Sequence, residues 1–187
     1  MRRAAVPIAG LIVITLAGCG SSREDSPARS TTTEGHIGPV TYRYDPALLT
    51  AADVRVSFPV ALGHEIYAVK LLPARGIEGS PDLCPDEAEG CPVEVQPGLT
   101  LALLEQPYER YAEALGGSDL AQAADPTTVA GEEGLVVDGG SEDGLEVEYH
   151  LVPVDNRALL IIRQRDDQSP EEKQALDLVV ASLDLGG

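Results

Sequence analysis

The stretch from Leu145 to Arg165 constrains this chain more than any other. Leu145, Val147, Tyr149 and Leu151 alternate with Glu146, Glu148 and His150, the period of a strand with one apolar and one polar face. Asp155-Asn156 then marks a turn, and Ala158 to Arg165 returns as a second strand. A symmetric reversal places opposite each other residues whose numbers sum to 311, so Glu148 faces Arg163, Glu146 faces Arg165 and His150 faces Ile161. A hairpin of this kind cannot bury its apolar side alone, so it requires more strands and a covering layer.

The remaining segments supply both. Val40 to Tyr44 alternates and ends at Asp45-Pro46, and Val54 to Phe58 alternates with Val54, Val56 and Phe58 on one face. Ile66 to Leu72 and Leu99 to Leu104 are further apolar runs. After Pro107 the period changes, since Tyr108, Tyr111, Ala112 and Leu115 follow helical spacing before Gly116-Gly117. Thr128 to Gly131 and Gly134 to Val137 form a short strand region, stopped by a turn at Asp138-Gly139-Gly140. Ser169-Pro170-Glu171-Glu172 opens a last helix through a capping box, and Leu176, Val179, Val180 and Leu183 form its apolar stripe. The order is strands, helix, strands, helix. The expected class is α+β, a mainly antiparallel sheet with two helices on one or both faces.

The amino terminus reads as an export leader. Met1-Arg2-Arg3 is basic, Ala4 to Leu16 is uncharged and apolar, and small residues follow. The apolar run is shorter than the roughly 20 residues of a spanning helix. Leu16-Ala17-Gly18-Cys19 resembles the lipobox of bacterial lipoproteins, which implies cleavage before Cys19 and a lipid (diacylglyceryl and palmitate-type chains) on its thiol. The competing reading is an ordinary leader followed by a chance cysteine. The expected division is signal peptide 1–18, lipidated Cys19 and flexible tether to residue 38, and one domain over 39–187. The tether is rich in Ser, Thr, Gly and charge, and includes His36.

Charge limits the partners. Of thirteen basic residues Arg2 and Arg3 leave with the leader, so eleven face 31 acidic ones, a net of −20. Such a chain repels phosphate backbones, which excludes nucleic acid as a partner. Solubility or adaptation to a salty medium is the expected reason for the acidity, with an acidic docking surface as the alternative. Two cysteines remain beside Cys19. Cys84 and Cys91 lie in an acidic, Pro- and Gly-containing segment of an exported chain, where a disulfide is the default. Free or metal-bound thiols are the alternative, but zinc needs about four ligands and no neighbouring Cys or His supplies them.

Two sets of residues resemble the PsbP-like group, which includes photosystem-II extrinsic subunits and small bacterial lipoproteins. One is Thr128-Val129-Ala130-Gly131-Glu132-Glu133-Gly134 with Tyr149 and the strand from Arg157 to Ile162. The other is the closing helix through Val180-Ala181-Ser182-Leu183. The resemblance covers about the last 60 residues and implies an α/β/α sandwich with an accessory role and no shared catalytic residues. The segment around Cys84 and Cys91 is no part of that pattern.

No Gly-x-Ser-x-Gly, phosphate-binding loop, His-Glu-x-x-His or dinucleotide fingerprint occurs, so no catalytic residue and no cofactor is assigned. Glu146, Glu148 and His150 share one strand face and are the candidate metal ligands or acid–base pair, although arginines opposite them also explain the set as sheet stabilisation. His64 reads as an exposed turn residue. The acidic run Asp138 to Gly144 carries oxygen ligands without the spacing of a calcium loop and reads as a hairpin connection. Tyr108 and Tyr111 read as core. The resulting expectation is a membrane-anchored, non-enzymatic accessory domain of the bacterial cell envelope. Its partners are the membrane, through the lipid, and an envelope protein. A ligand- or cation-binding module, or a hydrolase assembled in space, are the alternatives. For the disulfide, an alkylating probe should label neither Cys84 nor Cys91 before reduction and both after it. Labelling without reductant overturns the pairing.

Overall fold

The turn at Asp155-Asn156 joins the two strands on which the sheet is centred. A computed structural model describes residues 32–56, 66–74, 97–116, 124–142, 145–164 and 168–186. Cys19, Cys84, Cys91, His64 and Arg165 lie outside the described residues. The chain runs through β1 (Thr33–Ile37), β2 (Val40–Tyr44), β3 (Leu49–Val56), β4 (Ile66–Pro73), β5 (Leu99–Leu104) and α1 (Tyr108–Gly116). It continues through β6 (Ala124–Val129), β7 (Glu132–Glu142), β8 (Leu145–Val154), β9 (Arg157–Gln164) and α2 (Pro170–Ala181). This is an α+β protein, mostly antiparallel sheet with two helices.

Seven strands form one sheet in the order β3-β4-β5-β9-β8-β7-β6, and every pairing is antiparallel. Two meanders, β3-β4-β5 and β6-β7-β8-β9, meet where β5 pairs with β9. The β8–β9 register runs from Val154↔Arg157 to Val147↔Gln164, and each pair sums to 311 as the alternation predicts. Asp155 takes a positive φ of 50° in that turn, which an aspartate tolerates better than most residues. The β6–β7 turn uses positive φ at both central positions, 51° at Ala130 and 90° at Gly131. The region read as one short strand segment is therefore a second tight hairpin.

β9 is apolar on both sides because both of its faces are covered. Leu159 and Ile161 belong to a cluster with Leu71, Leu101 and Val152 that is closed by Leu176 and Val179 of α2. Ala158, Leu160 and Ile162 belong to another, with Ala68, Ala102 and Leu151, closed by Tyr111 and Leu115 of α1. The two helices therefore lie against opposite faces of the sheet. α2 begins as its sequence dictates. Ser169 Oγ accepts from the Glu172 backbone N–H at 3.3 Å, while Glu172 Oε2 accepts from the Ser169 N–H at 2.8 Å.

Three features depart from the sequence reading. First, β1 lies within the stretch assigned to the tether, so ordered chain starts before residue 39, and His36 is a strand residue 3.5 Å from Glu34. Thr33 to Ile37 has one large apolar residue and no strand signal of its own. It is held by β2, where the Tyr42 ring fills the space that a Cβ on Gly35 would need. Second, the β1–β2 hairpin is extended by the carboxyl terminus, through Thr41 N–H to Asp184 O at 2.9 Å and Asp184 N–H to Thr41 O at 3.0 Å. Ile37, Val40 and Tyr42 thereby join the α2-side cluster together with Leu183 and Leu185.

The third departure is at Asp138-Gly139-Gly140, which is not a turn. β7 continues to Glu142, and its register with β8 shifts between Asp138↔Glu148 and Ser141↔Glu146, a β-bulge with one extra residue. Glycine serves both devices. Here its use is close approach, because a Cβ on Gly139 would collide with the Tyr149 ring.

Truncation inside this frame should be costly. Ile161→Ala is expected to lower unfolding stability by about 2–5 kcal/mol in urea titrations, and Ser169→Ala by about 1 kcal/mol. A smaller loss at Ile161 than at Ser169 would contradict the placement of β9 at the centre of the core.

Candidate functional site

Val152 and Val154 of β8 belong to the cluster under α2, so the even-numbered positions of that strand face α2. Glu146, Glu148 and His150 share this face. The expected frame is present, since Glu148 is opposite Arg163 and His150 is opposite Ile161. The proposed opposition of Glu146 and Arg165 lies outside the described residues.

The side chains divide the candidate triad. Glu148 Oε1 lies 2.5 Å from His150 Nε2 along the strand, and both ring nitrogens of His150 are closed to solvent. Arg163, opposite Glu148 in the ladder as expected, also binds Asp177 of α2. Glu146 lines a cavity of about 380 Å³ with Gln164, Gln168, Lys173 and the Arg163–Asp177 pair. Its floor is apolar, from Leu99 and Leu176. The set is thus a His–Glu pair along the strand, an Arg–Asp pair between sheet and helix, and a carboxylate at a cavity wall. Among the described residues, no three or more His, Cys, Asp or Glu side chains form a group that could hold a metal. The acidic run offers no calcium loop within its described part either. Its backbone is extended through Glu142, whereas a calcium loop curls its oxygens around one point.

Lys70 is a finding that the sequence reading lacks. Its side chain is fully buried and Nζ donates to Gln164 Oε1 at 2.6 Å. Even-numbered positions of β4 and β9 face α1, as Ala68, Leu160 and Ile162 do, so this polar contact sits on the opposite face from the β8 set. Thr100, also buried, is opposite Lys70 in β5. An alternating run reveals only that position 70 is a strand residue. Which neighbour takes its ammonium depends on the β4-β5-β9 order.

The two tyrosines of α1 have different environments. Tyr111 is core, and its hydroxyl oxygen accepts from the Gln106 backbone N–H at 3.3 Å. Tyr108, one turn earlier, is only partly covered and lines a groove of about 680 Å³ with Pro126, Thr127, Thr128, Glu133 and Gly134. Burial, and secondarily the charge of Glu109, push its phenol above the usual tyrosine range. The residues of this groove come from α1, β6 and β7, which the sequence separates and only the sheet order brings together.

These features define an α+β protein with helices on both faces of an antiparallel sheet, and with Glu148 beside His150 and Arg163 bound to Asp177 on its α2 side. No protein-family model matches the chain, and no curated protein matches it. Among solved structures, the chain is similar to cyanobacterial PsbP (CyanoP) from Synechocystis, known from a solution structure, at 12% sequence identity. The match covers 90% of this chain and 98% of that one, with a TM-score of 0.45.

The Tyr108 environment predicts a base-side loss of stability. A phenol whose folded pKa is raised binds its proton more tightly when folded, so its contribution is complete below the ordinary tyrosine value near 10. It is lost as pH rises from there through the folded value. Tyr108→Phe should flatten the fall in melting temperature above about pH 10. An unchanged profile would exclude Tyr108 as its source.

Proposed function

We propose that this chain is an exported lipoprotein, anchored to a bacterial envelope membrane by lipid on Cys19, whose folded domain is a non-enzymatic accessory or binding module. The observation that carries the anchor is the leader itself: a basic start, a short apolar run, and Leu16-Ala17-Gly18-Cys19 followed by polar residues. Among the described residues no helix is long and apolar enough to cross a membrane. Two or more acyl chains give stable attachment, whereas one gives marginal binding.

The accessory reading of the domain draws on the pairing of its charged groups. A general base or metal ligand must be available to substrate or cation. Glu148 lies beside His150, whose ring nitrogens are closed to solvent, and Arg163 binds Asp177. The sequence likeness of Thr128 to Gly134 and of the closing helix to the PsbP-like group supports the same reading, together with that group's sandwich arrangement. A disulfide between Cys84 and Cys91 belongs to this proposal as an oxidised, exported feature.

Globomycin, which inhibits the lipoprotein signal peptidase, should make a larger precursor accumulate in cells. Cys19→Ala should abolish incorporation of labelled fatty acid and release the protein from the membrane fraction. Unchanged processing and fractionation in both cases would remove the anchor.

A further inference from the structure

The groove beside Tyr108 lies on the α1 face, at the edge of the sheet. Val137 of β7 belongs to the α1-side cluster, so Glu133, two positions away twice over, points to that side as well. Glu133 is paired across the ladder with Thr128, which places a carboxylate and a hydroxyl next to each other. Tyr108 supplies an aromatic wall, and Pro126 an apolar one. No Lys or Arg lines the groove. Glu109, exposed beside Tyr108 on α1, adds to the negative charge there, whereas Asp125 and Glu132 alternate to the other face of the sheet. Arg110, the base nearest in α1, lies 3.8 Å from Glu113 on its own helix.

β6 is the terminal strand of the sheet order. Its two-residue hairpin to β7 makes Val129↔Glu132 a hydrogen-bonded pair, so alternate residues Thr128 and Pro126 direct their backbone outward. Pro126 has no N–H to offer there, which interrupts any ladder that a partner strand would build. The groove therefore suits an inserted side chain better than an added strand. Its lining matches a cation on an apolar stem: a carboxylate and hydroxyls for the head, an aromatic ring and proline for the stem.

We propose that this groove receives an arginine or lysine side chain from a basic segment of a partner protein, with Glu133 binding the cationic head and Tyr108 packing on its stem. The inference rests on the domain being a binding module, but not on the lipid anchor. Acidity of the whole chain draws a basic partner in, and the groove gives that attraction a place and a geometry. A volume of about 680 Å³ accommodates such a side chain with neighbouring peptide atoms.

The test uses the full chain purified in nonionic detergent, labelled for NMR and titrated with N-acetyl-arginine amide. N-acetyl-citrulline amide, its uncharged counterpart, serves as the control. Arginine amide should shift the resonances of Tyr108, Thr127, Thr128, Glu133 and Gly134. Citrulline amide should bind about tenfold more weakly, the scale of one charge-assisted hydrogen bond. Glu133→Gln should cost a similar factor. Glu171→Gln, the same charge change on exposed α2, should leave the affinity unchanged. Tyr108→Leu, with folding checked by its amide spectrum, should also weaken binding.

Shifts spread over the acidic surface, or equal losses for Glu133→Gln and Glu171→Gln, would assign the attraction to net charge and overturn the proposal. Equal binding of citrulline amide would do the same. Any of these results alongside a positive globomycin experiment would leave the anchor standing without the groove.

Discussion

The structure depends on the burial of β9 between two partner strands and two apolar layers. Its backbone is committed on both sides, to β5 and to β8. Its side chains are divided between the α2 cluster, through Leu159 and Ile161, and the α1 cluster, through Leu160 and Ile162. Loss of β9 would separate the two meanders and remove Leu159 to Ile162 from the apolar layers beneath both helices. Apolar area removed from water on both faces of one strand is the largest favourable contribution that a segment of this length can make. It also explains why the polar residues of β9 are confined to its ends, at Arg157 and at Arg163 and Gln164.

Those polar ends organise the charge around the sheet. Arg163 follows the last apolar pair of the strand and binds Asp177, which joins the sheet margin to α2. Gln164, one residue on, faces the opposite layer and takes the ammonium of Lys70. The strand thereby contributes to two polar contacts on two faces within two residues, a consequence of strand alternation. In a protein of net charge −18 such local neutralisation leaves much of the remaining acidity on the surface, where it keeps the chain dispersed. The groove at Tyr108 differs from the rest of that surface by its aromatic wall and its proline-interrupted strand edge.

Local pattern carried much of the fold. The β8–β9 register follows from alternation plus a two-residue turn, because a slip by one position would turn Val152 and Val154 out of the core. The α2 boundaries follow from Ser169, Pro170 and Glu172, whose capping geometry is set within one turn. β1 was illegible for the opposite reason. Thr33 to Ile37 has no apolar period and becomes a strand through Tyr42 and β2, which in turn are held by Asp184 near the far end of the chain. At Asp138-Gly139-Gly140 the residues permit either a turn or a bulge, and the packing of Tyr149 over Gly139 decides between them. The candidate site shows the same division. Glu148 and His150 were legible as neighbours two positions apart on one strand face. The engagement of Arg163 by Asp177, the burial of Lys70 and the lining of the Tyr108 groove were not.

By itself the sequence determined the α+β class, the β8–β9 pairing, the capped closing helix, the acidic character and the lipobox-like leader. These are properties of short segments, governed by backbone preference, side-chain period and charge. The tertiary structure decided the sheet order, the placement of the helices on opposite faces, the strand character of β1 and the partners of the buried charges. Each of these depends on which distant segments meet, because hydrophobic burial rewards contact without specifying the chain position from which the contact comes.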